Sequence, residues 1–145
     1  MSTKEVQQRL IDSMRHWQGI ENRSVDSTGM MIAKTKNPLL RLVMEIIQRD
    51  SQMHHRVQQM IVDTLESAPI ALAPEEMGEI SEMIDNHMKI ENEMVGLVEE
   101  ALVAVKDRKM MVQEYLLNFL VADEKKHANM LAALEKVKKG MYPYG

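Results

Sequence analysis

The residues with the clearest capacity for chemistry are Glu124 and His127, which lie three positions apart in the segment 123–127. Side chains at i and i+3 of a helix share one face. Met110, Leu117 and Leu131 share a seven-residue row with Glu124, while Gln113, Leu120 and Leu134 share the adjoining row with His127. Both polar side chains are therefore predicted to point inward. A buried carboxylate needs a compensating partner, and a metal ion is one such partner.

An internal repeat points to further residues of the same kind. Residues 20–22 (Ile-Glu-Asn) recur as residues 90–92, and residues 50–54 (Asp-Ser-Gln-Met-His) match residues 123–127 (Asp-Glu-Lys-Lys-His). Each half of the chain thus carries a glutamate followed by an aspartate and a histidine four positions apart. The repeat predicts two related helical hairpins that bring their polar groups to similar heights.

The predicted fold is all-α, a four-helix bundle that forms a single domain over residues 1–145. Hairpin 1 is expected at about 3–66 and hairpin 2 at about 75–139. Residues 67–74 contain two prolines and no helical period, and they are the predicted linker.

The helix boundaries follow from local signals. Ser2 and Glu5 have the spacing of a capping box, which predicts the start of the first helix. Asn37 followed by Pro38 predicts the start of the second helix, with Asn37 as its N-cap. The fourth helix is expected to run from about Asp107 to Lys139.

The glutamates and histidines of the repeat form the candidate metal-ligand set, which is Glu21, His54, Glu91, Glu124 and His127. A lone histidine on an apolar face is usually a packed core residue, but a pair matched across a repeat favours metal binding. His87 lies one turn before Glu91 on the same face. It is either an additional ligand or a donor that orients Glu91.

Composition limits the other functions. The chain has no cysteine, which excludes disulfides and thiolate metal sites and is compatible with a cytoplasmic protein. A net charge of −4 without a basic stripe argues against nucleic acid as a partner. No apolar run is long enough to span a membrane, and the first residues lack the apolar core of a signal peptide. We therefore expect a cytoplasmic location. The 15 methionines are interpreted as core residues.

A glutamate on the first and third helices, with a second-helix histidine and a Glu-x-x-His on the fourth, resembles the ferritin-like di-iron carboxylate proteins, in particular the rubrerythrin and bacterioferritin type. The resemblance covers nearly the whole chain. It implies that Glu21 and Glu91 are terminal ligands, that Glu124 is a bridging carboxylate, and that His54 and His127 each serve one metal. The implied metal is iron, with manganese or zinc as alternatives.

One position departs from the family pattern. Ser51 stands where the family has its other bridging glutamate, and serine supplies neither the charge nor the bridge that a di-metal centre uses. Asp50 is one residue away and reaches the site only if the helix distorts, while His87 approaches from another direction. The site is therefore di-iron, mononuclear or asymmetric, and these alternatives stay open.

The sequence is compatible with two functions that belong to different classes of protein. The first is a metal-binding protein that uses iron to carry out oxidation with oxygen or peroxide, and it requires an external electron donor. The second is a helical structural or interaction module with a degenerate metal site, which Ser51 favours. The sequence leaves open whether the chain is an enzyme, and it names no catalytic residue or substrate.

The linker constrains the assembly. The resemblance implies that the second and third helices run parallel, which requires a connection of about 40 Å at 1.5 Å per helical residue. The steps from Glu66 to Glu75 reach at most about 30 Å. A homodimer in which hairpin 1 of one chain packs on hairpin 2 of another avoids this problem, and we favour it over an up-down-up-down monomer.

Overall fold

The computed structural model describes the backbone of residues 1–141 and, apart from positions 77, 138 and 141, their side chains. Within this range the chain forms helices and no strand, which confirms the all-α class. The helices are α1 (Thr3–Lys34), α2 (Pro38–Glu66), α3 (Pro74–Val105) and α4 (Met111–Met141). The chain divides after Ile70 into two compact units. Hairpin 1 consists of α1 and α2, and hairpin 2 consists of α3 and α4.

The predicted caps of hairpin 1 are confirmed. The backbone N–H of Ser2 donates to Glu5 Oε2 over 2.7 Å, and the N–H of Glu5 donates to Ser2 Oγ over 3.2 Å. These two bonds satisfy N–H groups that the first turn of a helix leaves free. The Asn37 side chain accepts from the N–H groups of Leu39 and Leu40, and Pro38 occupies the first turn of α2.

The connection between α3 and α4 differs from the sequence prediction. The fourth helix begins at Met111 rather than near Asp107, because Asp107 and Lys109 have φ angles of 61° and 55°. Residues in this left-handed region break the α-helical path. The reversal therefore extends from Lys106 to Met110.

The interface of hairpin 1 changes from apolar to polar along its length. Near the open end, Ile11, Met14 and Val62 are buried together. Towards the middle, the buried side chains are polar: Gln18, Glu21, Thr28, Ser51 and Gln58. So small an apolar core gives hairpin 1 little hydrophobic stabilisation of its own.

The interface of hairpin 2 is a stripe of half-buried side chains at helical spacing, including Ile84, Met88, Val98, Leu117 and Leu131. Glu91 is the fully buried charged residue in the described part of this hairpin, with 4% of its surface exposed. No helix in residues 1–141 combines the length and apolar character that crossing a bilayer requires.

Candidate metal centre

Hairpin 2 brings Glu91, Glu124 and His127 together. Glu91 projects from α3, and Glu124 and His127 project from one face of α4 because they are three residues apart. One ligand atom from each lies within 4.8 Å of the others. His127 Nδ1 is 3.4 Å from Glu91 Oε1 and 3.7 Å from Glu124 Oε2. Three candidate ligands therefore converge within one hairpin.

Two oxygens of this cluster are buried without a donor. When both carboxyl groups are ionised, no hydrogen-bond donor in the described residues reaches Glu91 Oε2 or Glu124 Oε2. A buried carboxylate oxygen without a partner destabilises the fold, so such atoms call for a physical explanation. A divalent cation held between the two oxygens and His127 would satisfy both, so the residues present fit a metal ion.

The two carboxylates change each other's pKa in opposite directions. A hydrogen bond from Glu124 lowers the pKa of Glu91, and the bond from His87 lowers it further while burial opposes the change. The same contact with Glu91, together with burial, raises the pKa of Glu124. Two neighbouring carboxylates disfavour double ionisation, and a cation bound between them would relieve their repulsion.

Asp123 lies beside the imidazole of His127 and also pairs with Lys126 through Oδ1 over 2.7 Å. Its Oδ2 lies 3.4 Å from His127 Nε2, while the opposite ring nitrogen, Nδ1, faces the two glutamates. A carboxylate behind a histidine commonly fixes the ring and its tautomer for metal binding. The sequence prediction gave Asp123 no separate function, although its position four residues before His127 on one helical face was the available signal.

His87 contacts Glu91 rather than the other members of the cluster. Its Nε2 lies 2.9 Å from Glu91 Oε1, one turn away on α3. The side chain of His87 is 54% exposed, whereas that of Glu91 is 5% exposed. The group of side chains that could hold one ion contains Glu91, Glu124 and His127 and does not include His87.

In hairpin 1, Glu21 and His54 also meet, but Glu21 has hydrogen-bonding partners of its own. His54 Nδ1 lies 3.1 Å from Glu21 Oε2, and Gln58 Nε2 donates to the same oxygen over 3.1 Å. Gln58 is 3% exposed, and its own Oε1 lacks a donor in the described residues. The sequence prediction missed Gln58, whose spacing of seven residues from Ser51 placed it on the same row.

The other two candidates of hairpin 1 lie outside any ligand cluster of the described residues. Ser51 Oγ is 2.8 Å from Ser24 Oγ, so its hydroxyl pairs with another hydroxyl from α1. Asp50 is exposed on α2. The structure therefore places two of the predicted ligands, Glu21 and His54, in hairpin 1 and three in hairpin 2.

Comparisons of the chain with models of protein families, with curated proteins and with solved structures find no match.

Proposed function

We propose that this chain is a metal-binding protein and that hairpin 2 holds one divalent transition-metal ion through Glu91, Glu124 and His127. The observation that carries the proposal is the pair of buried oxygens, Glu91 Oε2 and Glu124 Oε2, which have no donor in the described residues. Two carboxylates balance the charge of a divalent ion, and the neighbouring imidazole supplies a third ligand atom.

The resemblance to the di-iron carboxylate proteins implies iron, and the donor set is compatible with iron, manganese and zinc. Carboxylate oxygens suit hard ions such as Mn²⁺, and imidazole suits Fe²⁺ and Zn²⁺. Three protein ligands leave open coordination positions, as in catalytic metal sites. Bound iron supplies one-electron redox chemistry towards oxygen or peroxide, with electrons from an external donor. The chain's own residues bind the ion, neutralise its charge and, through Asp123, hold the imidazole of His127 in place.

The proposal includes a ferritin-like four-helix arrangement, in which hairpin 1 of one chain packs on hairpin 2 of another. Its support is the repeat, which places glutamate and histidine at matching positions of both hairpins. The small apolar core of hairpin 1 also favours burial against a further helical pair. We propose a homodimer in which hairpins from two chains supply this burial. Light scattering after gel filtration should give twice the chain mass, and a monomer that holds a stoichiometric metal ion would contradict the exchanged arrangement.

A second candidate function is a structural or interaction module. The observation that favours it is the hydrogen bonding in hairpin 1, where Gln58 donates to Glu21 and Ser24 pairs with Ser51. Such contacts replace ligands in a bundle that has lost its metal chemistry. Hairpin 2 does not share this arrangement, because its buried carboxylate oxygens lack donors in the described residues.

Elemental analysis and thermal melting distinguish the two functions. Protein purified without chelator should contain about one metal ion per chain. After metal removal, Mn²⁺ or anaerobic Fe²⁺ should raise the melting temperature, because a ligand at a hundredfold excess over Kd adds about 2.7 kcal/mol. Glu124→Ala should abolish the rise, and Glu100→Ala, an exposed glutamate of α3, should retain it. A melting temperature that metal leaves unchanged in the wild type contradicts the proposed function.

A further inference from the structure

We infer that His87 is a positioning residue which occupies one oxygen of Glu91 and so leaves the other oxygen free for the metal ion. This inference rests on the proposed function and concerns the choice of the ligand atom. His87 Nε2 donates to Glu91 Oε1 over 2.9 Å, whereas Glu91 Oε2 is buried and has no donor in the described residues. In this inference, Oε1 accepts the hydrogen bond from His87 and Oε2 binds the metal ion.

The position of His87 on the same helix as Glu91 makes this orientation independent of α4. The two residues are four positions apart on α3, so the bond spans one helical turn. His127 Nδ1 also approaches Glu91 Oε1, at 3.4 Å. Once His127 Nδ1 binds a metal it has no proton to donate, and the bond from His87 then keeps Oε1 satisfied. A glutamate held in this way presents Oε2 as a single ligand atom.

Hairpin 1 shows the consequence of a different arrangement. Trp17 stands at the position that matches His87, so α1 offers no imidazole beside Glu21. The donor to Glu21 comes instead from Gln58 on the facing helix. In hairpin 1 the donor therefore occupies the side of the glutamate that faces the other helix. In hairpin 2 the donor to Oε1 lies on the glutamate's own helix, and Oε2 has no donor in the described residues.

The test compares His87→Gln with His87→Leu. Glutamine carries an N–H donor at a similar distance from the backbone, whereas leucine carries none. We expect His87→Leu to weaken Mn²⁺ binding by about 10- to 100-fold, as is typical when a group that orients a metal ligand is removed. His87→Gln should stay close to the wild type in affinity. Competition with a fluorescent chelator gives the dissociation constants, and His16→Leu, an exposed histidine of α1, is the control.

The visible spectrum of the Co²⁺-loaded protein separates positioning from ligation. If His87 is not a ligand, His87→Gln leaves the absorption bands of Co²⁺ unchanged. Loss of affinity in both variants together with altered bands shows that His87 is a ligand and overturns the inference. Wild-type affinity in His87→Leu also overturns it. Either of these two outcomes leaves the proposed function intact, provided that the wild type binds metal and Glu124→Ala does not. If the wild type itself binds no metal, the proposed function fails.

Discussion

The two hairpins of this chain share an internal repeat, but they surround its buried glutamate with different partners. In hairpin 1, Gln58 donates to Glu21 from the facing helix. In hairpin 2, Leu131 stands at the position that matches Gln58, and the facing helix presents a second carboxylate, Glu124. A neutral donor satisfies a carboxylate, whereas a second carboxylate adds repulsion. We therefore expect hairpin 2, rather than hairpin 1, to gain stability from a bound cation.

The difference extends to the positions around each glutamate. Ser24 and Ser51 form a hydroxyl pair in hairpin 1, and the matching positions in hairpin 2 hold Met94 and Glu124. The two hydroxyls pair with each other and the Gln58 amide donates to Glu21, so these contacts hold the helix pair together without a ligand. Hairpin 1 thus pairs its polar groups across the two helices, whereas two buried carboxylate oxygens of hairpin 2 have no donor in the described residues.

The largest expected effect comes from neutralising the matched glutamates. Glu91→Gln removes a proposed ligand and should abolish the metal-dependent rise in melting temperature, about 2.7 kcal/mol at a hundredfold excess of metal over Kd. Glu21→Gln, its counterpart in hairpin 1, should leave the rise and the metal content unchanged. Elemental analysis and melting curves measure both. Loss of metal in both variants would show that the hairpins share one site, and the contrast between them would be wrong.

The second-largest effect is expected when substitutions give hairpin 1 the candidate ligands of hairpin 2. Ser51→Glu introduces the missing carboxylate, and Gln58→Leu removes the donor that occupies Glu21. The double variant should bind about two metal ions per chain where the wild type binds one. Ser51→Glu alone should bind the second ion more weakly, because Gln58 still donates to Glu21. Titration with Mn²⁺ gives the stoichiometry, and a wild type that binds two ions tightly would contradict the importance given to Ser51.

The sequence predicts the helices well because local signals determine them. Ser2 and Asn37 cap α1 and α2 through side-chain bonds to nearby N–H groups, and those bonds depend on residues within one turn. The start of α4 was not predictable in the same way. Asp107 and Lys109 adopt left-handed φ angles that neither residue type requires.

The candidate site residues were predictable where a short motif and the repeat both identified them. They were less predictable where a residue lies at the edge of the inward-facing stripe of a helix. The spacing of Glu124 and His127, with the repeat of Glu91, predicted the cluster of hairpin 2. The heptad also placed His54 inward, but its side chain is 58% exposed while Gln58 is buried. The periodicity of the sequence predicts that one stripe of a helix faces inward. Which edge of that stripe becomes buried depends on the position of the neighbouring helix.

A smaller effect concerns the metal-free protein. Glu124→Gln should raise its melting temperature by a few degrees, because the amide relieves the repulsion from Glu91 and can donate to it. The pKa of Glu124 is raised in the fold, so the stability that its protonated form contributes is lost as the pH rises from the unfolded value to the folded value. The advantage of the variant should therefore grow with pH above the ordinary range for glutamate.

The converse change in hairpin 1 is Gln58→Glu, which replaces the donor to Glu21 with a second carboxylate. It should lower the melting temperature of the metal-free protein at neutral pH. Melting curves with chelator, recorded across a pH series, measure both variants. If Glu124→Gln is less stable than the wild type at neutral pH, the carboxylates of hairpin 2 do not repel each other and the contrast with hairpin 1 disappears.

The smallest expected effect is that of the hydroxyl pair in hairpin 1. Ser24→Ala or Ser51→Ala should each destabilise the protein by about 1 kcal/mol, because each leaves the other hydroxyl of this part-buried pair without its partner. The double variant removes both hydroxyls and should cost less than the sum of the single changes. Urea denaturation measures the three values, and metal content should stay the same in all of them. Additive costs would mean that the two hydroxyls act independently. A loss of metal would mean that Ser51, in spite of its partner in α1, still takes part in the site.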